Sequence, residues 1–497
     1  MVQQVFLAVD IGASSGRLVA GEFDGERIAL TEVERFDNGG VAAGGYLHWD
    51  VLQQWSHIKS ALATAVDRYG SEITSVGVDT WGVDFGLLGR NDQLLGNPLH
   101  YRDHHTEGIL EWAFERVPRE EIFAHTGLQF MRFNTLYQLL ALQKDRSPIL
   151  DAAETMLLMP DLFHWLLTGE KSNEFTNATT TQMFNPQQNR WATEVLDSFE
   201  LPTKLLGEIV QPGTVLGTVR GSVAREIGNS DLKVVLPGTH DTASAVMAVP
   251  ASESLSDQPN WCYISSGTWS LMGVELQNPV ITDTCRQLNF TNEGGVGNSV
   301  RLLKNIAGLW LVQECRRIWS ADGSHYEWDE LVELASAAEP LVSLIDPDDE
   351  QFVAPESMPE AICQYCRSTE QPVPQTHGAI LRCALESLAL RYQMVLGMLQ
   401  QLTGSEIETV QIVGGGIQNG LLCQLTADAC HRPVVAGPVE ATAIGNLMVQ
   451  LVSHGAVHSI PEARRIIQNS FDTENYLPDS SLDWGNAIQR FHALVAS

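Results

Sequence analysis

Cysteine is absent ahead of residue 262, and all eight (Cys262, Cys285, Cys315, Cys363, Cys366, Cys383, Cys423 and Cys430) fall in the rest of the chain. Spread through predicted helices and strands, they exclude a disulfide scaffold and read as ordinary buried thiols. Cys363 and Cys366 form a CxxC, but no second pair or nearby histidine pair completes a zinc site. A structural role is expected for them, with a redox role as the alternative. Basic residues are scarce as well: 30 Lys and Arg stand against 61 Asp and Glu, a formal net charge of -31. Such a chain repels nucleic acid phosphates and anionic lipid, and no basic run relieves it, so neither is expected as a partner. Small-molecule substrates are. No uncharged apolar run approaches the ~20 residues that span a bilayer. The opening MVQQVFLAVD reaches Asp10 too soon, and without the basic leader, for a signal peptide. A cytoplasmic protein is expected, acting as a monomer or weak homodimer.

What is present is globular: 497 residues, 44% apolar and 18% charged, more than one hydrophobic core usually supports. β-rich runs alternate with amphipathic helices, which predicts an α/β fold. Val5 to Asp10 and Arg17 to Phe23 read as paired strands, Val51 to Tyr69 as a helix, and Val76 to Asp79 as a buried strand. Helices are predicted at Leu136 to Gln143 and at Met159 to Thr168, the latter ended by Gly169. Leu385, Leu388, Tyr392, Val395, Leu399 and Leu402 mark one face of a long helix closed by Gly404. A strand at Val410 to Val413, the glycines 414 to 416, a helix at Asn419 to Cys430 and a strand at Pro433 to Ala436 follow. The polar, proline-bearing VPASESLSDQP (Val249 to Pro259) is the expected boundary, giving domains 1–248 and 249–497.

Each half carries a strand, a small-residue turn and a returning strand: LAVDIGASSGR (Leu7 to Arg17) and YISSGTWSLMGVEL (Tyr263 to Leu276). Turns of this kind present backbone N–H groups to polyphosphates, so the duplication suggests two related domains serving one nucleotide. Asp10, ending an apolar strand, suits a hydrated Mg²⁺, and Arg17 suits a phosphate; a tight turn with an exposed aspartate is the plain alternative. In LPGTHDTASAV, Asp241 begins a small-residue helix, where it serves as an N-cap or takes a proton from a substrate hydroxyl. In VGVDTWGVDFGLL, Trp81 and Gly82 flanked by Asp79 and Asp84 suit a sugar face and its hydroxyls, or else core packing.

Taken in order, DIGASSGR, DTWGVDF, NTLYQL, LLMPD, TNATTTQ, HDTASAV, SSGTWSLMG, TNEGG, LLKNIAGLWLVQ, IVGGGIQN and AGPVEATAIGN resemble the FGGY carbohydrate kinases, and in particular their rhamnulose branch. The resemblance runs from about residue 5 to about 450. It implies two ribonuclease H-like domains of the actin-like ATPase fold with an active-site cleft between them. It also implies ATP and Mg²⁺ as cofactors, and transfer of the γ-phosphoryl group to C1 of L-rhamnulose. Residue by residue, it implies ATP contacts at Ala13, Ser14, Ser15, Gly16, Arg17, Thr268, Gln313 and Gly415. Sugar contacts are implied at Gly82, His240, Asp241, Thr242 and Asn305, with Asp241 as proton acceptor. His105 stands where the broader family carries arginine, affecting a substrate contact or a local ion pair. Ala13 replaces a threonine found in many relatives. The alternatives are a fuculose or xylulose kinase of the same family, and a non-catalytic sensor on the same fold; retention of Asp10 and Asp241 disfavours the sensor.

Overall fold

The computed structural model describes residues 4–251 and 255–496, so residues 252–254 of the expected boundary segment lie outside it. The chain forms two compact units. One comprises Met1–Leu255, Leu276–Leu302 and Ala441–Phe471; the other comprises Ser256–Glu275, Leu303–Glu440 and Asp472–Ser497.

The first unit is built on strands β1 (Gln4–Ile11), β2 (Ser15–Phe23), β3 (Ile28–Asp37), β4 (Ile73–Thr80), β5 (Val215–Thr218) and β6 (Lys233–Val235). Their order in the sheet is β5-β6-β4-β1-β2-β3. β1 pairs antiparallel with β2 and parallel with β4, which pairs parallel with β6. The near-continuous apolar run of β1 follows from this central place, since both of its faces are covered. Val5, Leu7, Val9 and Ile11 join a core with Ile58, Leu62, Ala65, Leu162 and Phe163 from the helices Val51–Tyr69 and Met159–Thr168. On the other face, the Phe6 ring lies 5.9 Å from that of His454, just past the helix Ala441–Ser453. Both predicted helices end where glycine allows it: Gly70 and Gly169 have φ of 54° and 93°.

The second unit repeats the plan. Strands β7 (Trp261–Ser266) and β8 (Trp269–Leu276) form an antiparallel hairpin, and β7 pairs parallel with β10 (Thr409–Val413), which follows β9 (Val300–Ala307) in the chain. β10 continues parallel to β11 (Val434–Ala436), and β12 (Glu474–Tyr476) closes that edge antiparallel. The long helix His377–Thr403 buries Leu385, Leu388, Tyr392, Val395 and Leu399, the spacing read from sequence, and Gly404 caps it at φ 69°. Tyr392 fixes the helix to the hairpin through a 2.7 Å hydroxyl bond to Ser270. All eight cysteines are free and buried. No helix among the described residues is long and apolar enough to cross a membrane.

Candidate active site

In the first unit the parallel strands bring three carboxylates toward one end of the sheet. Asp10 is paired in register with Arg17 across the hairpin and with Asp79 on β4. Arg17 donates through Nε (3.1 Å) and Nη2 (2.8 Å) to one oxygen, Asp10 Oδ2. Asp10 is therefore largely buried and ion-paired, and the exposed-turn alternative is set aside. Asp79 is fully buried; its Oδ2 accepts from Asn446 at 2.6 Å, and its Oδ1 meets no donor among the described residues. Burial pushes this carboxyl well above the usual range, and the neighbouring charges of Asp10 and Asp241 add to the effect against the Asn446 bond. The turn between β1 and β2 is braced by Asn38, which donates to Gly12 O at 2.6 Å and is itself held by Gln54. Ala13 and Ser15 are half-buried, Ser14 is exposed, and Gly16 is buried where an added Cβ would lie 2.3 Å from the Phe36 ring.

Thr80 extends β4 by a parallel bridge to His240, and its N–H donates to Thr239 O at 3.0 Å. This bridge sets the strand that leads into Gly82 beside His240. Asp241 is the first residue of the helix Asp241–Met247, and the cap position belongs to His240, so the N-cap reading is corrected. The Asp241 side chain keeps 30% of its surface exposed. Its Oδ1 accepts from Thr242 N at 2.5 Å and Thr242 Oγ1 at 3.1 Å, and His240 Nε2 lies 3.5 Å away. Oδ2 has no protein donor among the described residues. Burial raises the Asp241 carboxyl above its ordinary value, with His240 opposing and Asp10 reinforcing. Beneath, the buried Glu174 accepts from Thr176 Oγ1 and Thr239 Oγ1, both at 2.6 Å, which fixes the backbone entering His240.

The carboxylates around Trp81 do not form a sugar-facing surface. Asp84 is fully buried and spends both oxygens on protein donors: Trp49 Nε1 (2.6 Å), Trp81 Nε1 (2.9 Å) and Tyr101 N (3.2 Å) on Oδ2, and Gln138 Nε2 (2.8 Å) on Oδ1. Trp81 is buried against Trp49, their ring centroids 3.9 Å apart. Burial outweighs those donors and pushes Asp84 up to about 7. The core-packing alternative therefore holds for Trp81, and Asp79 and Asp84 are buried too. Gly82 stays small because a Cβ there would lie 3.0 Å from Thr180. Val83 next to it takes φ 71°, an outlier for a β-branched residue, pinned by Thr180 Oγ1 on its N–H (3.1 Å) and by Thr135 Oγ1 on its carbonyl (2.6 Å). His105 makes a local contact: its Nδ1 lies 3.0 Å from Asp103 Oδ1.

In the second unit the β7–β8 turn gathers the other nucleotide candidates. Thr268 Oγ1 donates to Gln313 Oε1 at 3.2 Å, and Leu309 N and Trp310 N donate to Gly267 O (3.0 Å) and Thr268 O (3.1 Å). Gly414, Gly415 and Gly416 pass close by: Cβ atoms at 414 and 416 would lie 2.9 and 2.0 Å from Ser266 atoms, whereas nothing stands within 4 Å at 415. Asn305 lies half-buried on β9. Among the described residues no group of three or more His, Cys, Asp or Glu side chains is arranged to hold a metal directly.

Sequence reasoning missed Asn446, Glu293 and Arg301. Asn446 closes the quoted AGPVEATAIGN but touches Asp79 across 367 residues, so local pattern carries no sign of the contact.

Comparison with known proteins gives the family. Residues 5–248 match the model of the N-terminal domain, and residues 262–454 that of the C-terminal domain, of the FGGY family of carbohydrate kinases. The chain is 44% identical over 494 residues to a rhamnulokinase of Bacteroides thetaiotaomicron, covering 99% of this chain and 100% of that one. It is 37% identical over 491 residues to a rhamnulokinase of Bacillus subtilis, with 99% of each chain covered. Among solved structures, a ligand-bound xylulose kinase from Lactobacillus acidophilus superposes with a TM-score of 0.80 at 16% identity, covering 99% of this chain and 97% of that one. A Plasmodium falciparum glycerol kinase with ADP gives 0.75 at 14%, covering 99% and 98%. With both family models matched in order and relatives aligned over nearly their whole length, the chain belongs to the FGGY family of carbohydrate kinases.

Proposed function

We propose that this carbohydrate kinase transfers the γ-phosphoryl group of ATP to the C1 hydroxyl of L-rhamnulose, giving L-rhamnulose 1-phosphate and ADP. The observation that carries the reading is the state of Asp241. It is a carboxylate at a strand-to-helix corner with one oxygen held by Thr242 and the other without a protein donor, and burial raises its proton affinity. A base of this kind takes the hydroxyl proton as the sugar oxygen attacks phosphorus. Phosphoryl transfer asks for little else than placement of the reactants and neutralisation of charge.

In this reading the sugar is held by Gly82, His240, Asp241, Thr242 and Asn305. Ala13 to Arg17 meet the phosphates, where the Ala13 and Ser14 N–H groups have no protein acceptor among the described residues; Thr268, Gln313 and Gly415 meet the rest of the nucleotide. Asp10 suits Mg²⁺ through water as a carboxylate at the end of β1 beside the turn that meets the phosphates, its Oδ2 accepting from Arg17. Mg²⁺ usually keeps several waters and is held by one or two carboxylates plus substrate phosphates. When bound, it offsets negative charge on the β- and γ-phosphates. ATP as co-substrate implies a cytoplasmic setting.

The test is turnover on L-rhamnulose, L-fuculose and D-xylulose with coupled ADP detection, and the phosphate position in the product by NMR. A faster reaction on another ketose overturns the sugar assignment; an ester at another carbon overturns the C1 assignment.

A further inference from the structure

His240 Nδ1 faces two charged groups of opposite sign, and they demand different ring tautomers. Arg301 Nη2 lies 3.1 Å from Nδ1 in hydrogen-bonding geometry, and Glu293 Oε2 lies 3.3 Å from it. A guanidinium only donates, so in that bond Nδ1 accepts and the ring proton of the neutral imidazole sits on Nε2. Nε2 is the nitrogen 3.5 Å from Asp241 Oδ1.

Arg301 is built to stay in place. It is fully buried, its Nε donates to Gly294 O at 2.9 Å, and its Nη2 also donates to Glu293 Oε2 at 3.2 Å. Nη2 carries two hydrogens, enough for both Glu293 and His240. Arg301 and Glu293 thus form a buried ion pair. Without Arg301, Glu293 would draw the ring proton to Nδ1. The Nε2 lone pair would then face Asp241, which already meets the charge of Asp10.

We propose that Arg301 is a positioning residue for phosphoryl transfer: its bond to Nδ1 keeps His240 in the tautomer whose Nε2–H faces Asp241 Oδ1, leaving Oδ2 for the substrate hydroxyl. The proposal rests on the reading of Asp241 as the base.

The ring tautomer tests it directly, through ¹⁵N-edited NMR of the full-length protein labelled at histidine, with His240→Gln used to assign the signal. The wild-type ring is expected as the Nε2–H tautomer. An Nδ1–H ring in the wild type overturns the proposal, whether or not any variant folds. Arg301→Met should convert the ring to Nδ1–H and lower kcat about ten- to a hundredfold, the cost of one charge-assisted hydrogen bond, with KM for ATP unchanged. Arg301→Lys, which keeps a charged donor, should recover activity over Arg301→Met. An unchanged kcat in Arg301→Met, or a loss that appears in KM for ATP instead, overturns it. Failure of the underlying reading looks different: Asp241→Asn would stay active while the His240 tautomer remained as stated.

Discussion

Asp10 and Asp79 are register partners on adjacent parallel strands, yet a guanidinium neutralises only the first of them; the second leans on the side-chain amide of Asn446. The difference separates a carboxylate suited to a cation from one suited to a proton.

For Asp10 the consequence is metal dependence. In Asp10→Asn the Mg²⁺ concentration giving half-maximal turnover should rise about tenfold, the worth of one charge-assisted contact. Chelation by EDTA should stop turnover in the wild type without moving the melting temperature, because no described cluster of protein ligands depends on a metal. A Mg²⁺ midpoint unmoved by the substitution would remove Asp10 from the metal's surroundings.

Asp241→Asn keeps the shape of the side chain and removes the base. Turnover should fall by ~10²- to 10⁴-fold while a non-hydrolysable ATP analogue binds as before by calorimetry. Wild-type turnover in this variant would sink the base assignment.

Asp84 keeps its proton up to about pH 7 when folded, against a reference value of 3.8. The folded chain therefore binds more protons between those values, so the stability tied to this group is full at the acid end and is lost as pH rises through about 7. In Asp84→Asn that titration is gone, and scanning calorimetry from about pH 4 to 8 should show a shallower fall in melting temperature than in the wild type. The amide also sets an NH₂ against one of the donors now satisfied, a cost of about 1–3 kcal/mol visible at the acid end. Parallel curves would show that Asp84 does not titrate in this range.

The glycines at 415 and 416 make a matched pair. Gly416→Ala drives a Cβ to 2.0 Å from Ser266 Oγ and should destabilise the chain by about 1–3 kcal/mol. Gly415→Ala meets nothing within 4 Å, so its melting temperature should hold while KM for ATP rises. A normal KM for ATP in Gly415→Ala would place the nucleotide elsewhere.

Much of this fold is legible where side chains act through near neighbours. The helices Val51–Tyr69 and Met159–Thr168, the caps at Gly169 and Gly404, and both hairpins follow from spacing and glycine placement. The site is legible only in part. Asp241 sits at a corner whose local pattern fits both a cap and a base, and only the folded chain shows that the cap position falls on His240. Trp81 and Asp84 read equally as a sugar-facing surface or as core, because burial is set by Trp49, Tyr101 and Gln138, residues remote in sequence. Arg301 and Glu293, on the separate strands Val300–Ala307 and Thr291–Gly294, gave no sign of pairing, since a buried ion pair differs from a surface pair only in its surroundings.

Asn446 and Gln450 reach from the helix Ala441–Ser453 into the centre of the first sheet, where Gln450 donates to Leu7 O at 2.9 Å and accepts from Ser75 Oγ at 2.7 Å. Gly445 in the same helix lies so close to Ser244 O that a Cβ would come within 1.8 Å of it. During synthesis the ribosome must therefore deliver the chain through residue 453 before the earliest strands gain their second cover. At typical elongation rates of about 5–20 residues per second, the nascent β1 waits tens of seconds with one apolar face open. Chaperone demand should therefore track the time needed to translate from the first sheet to residue 453.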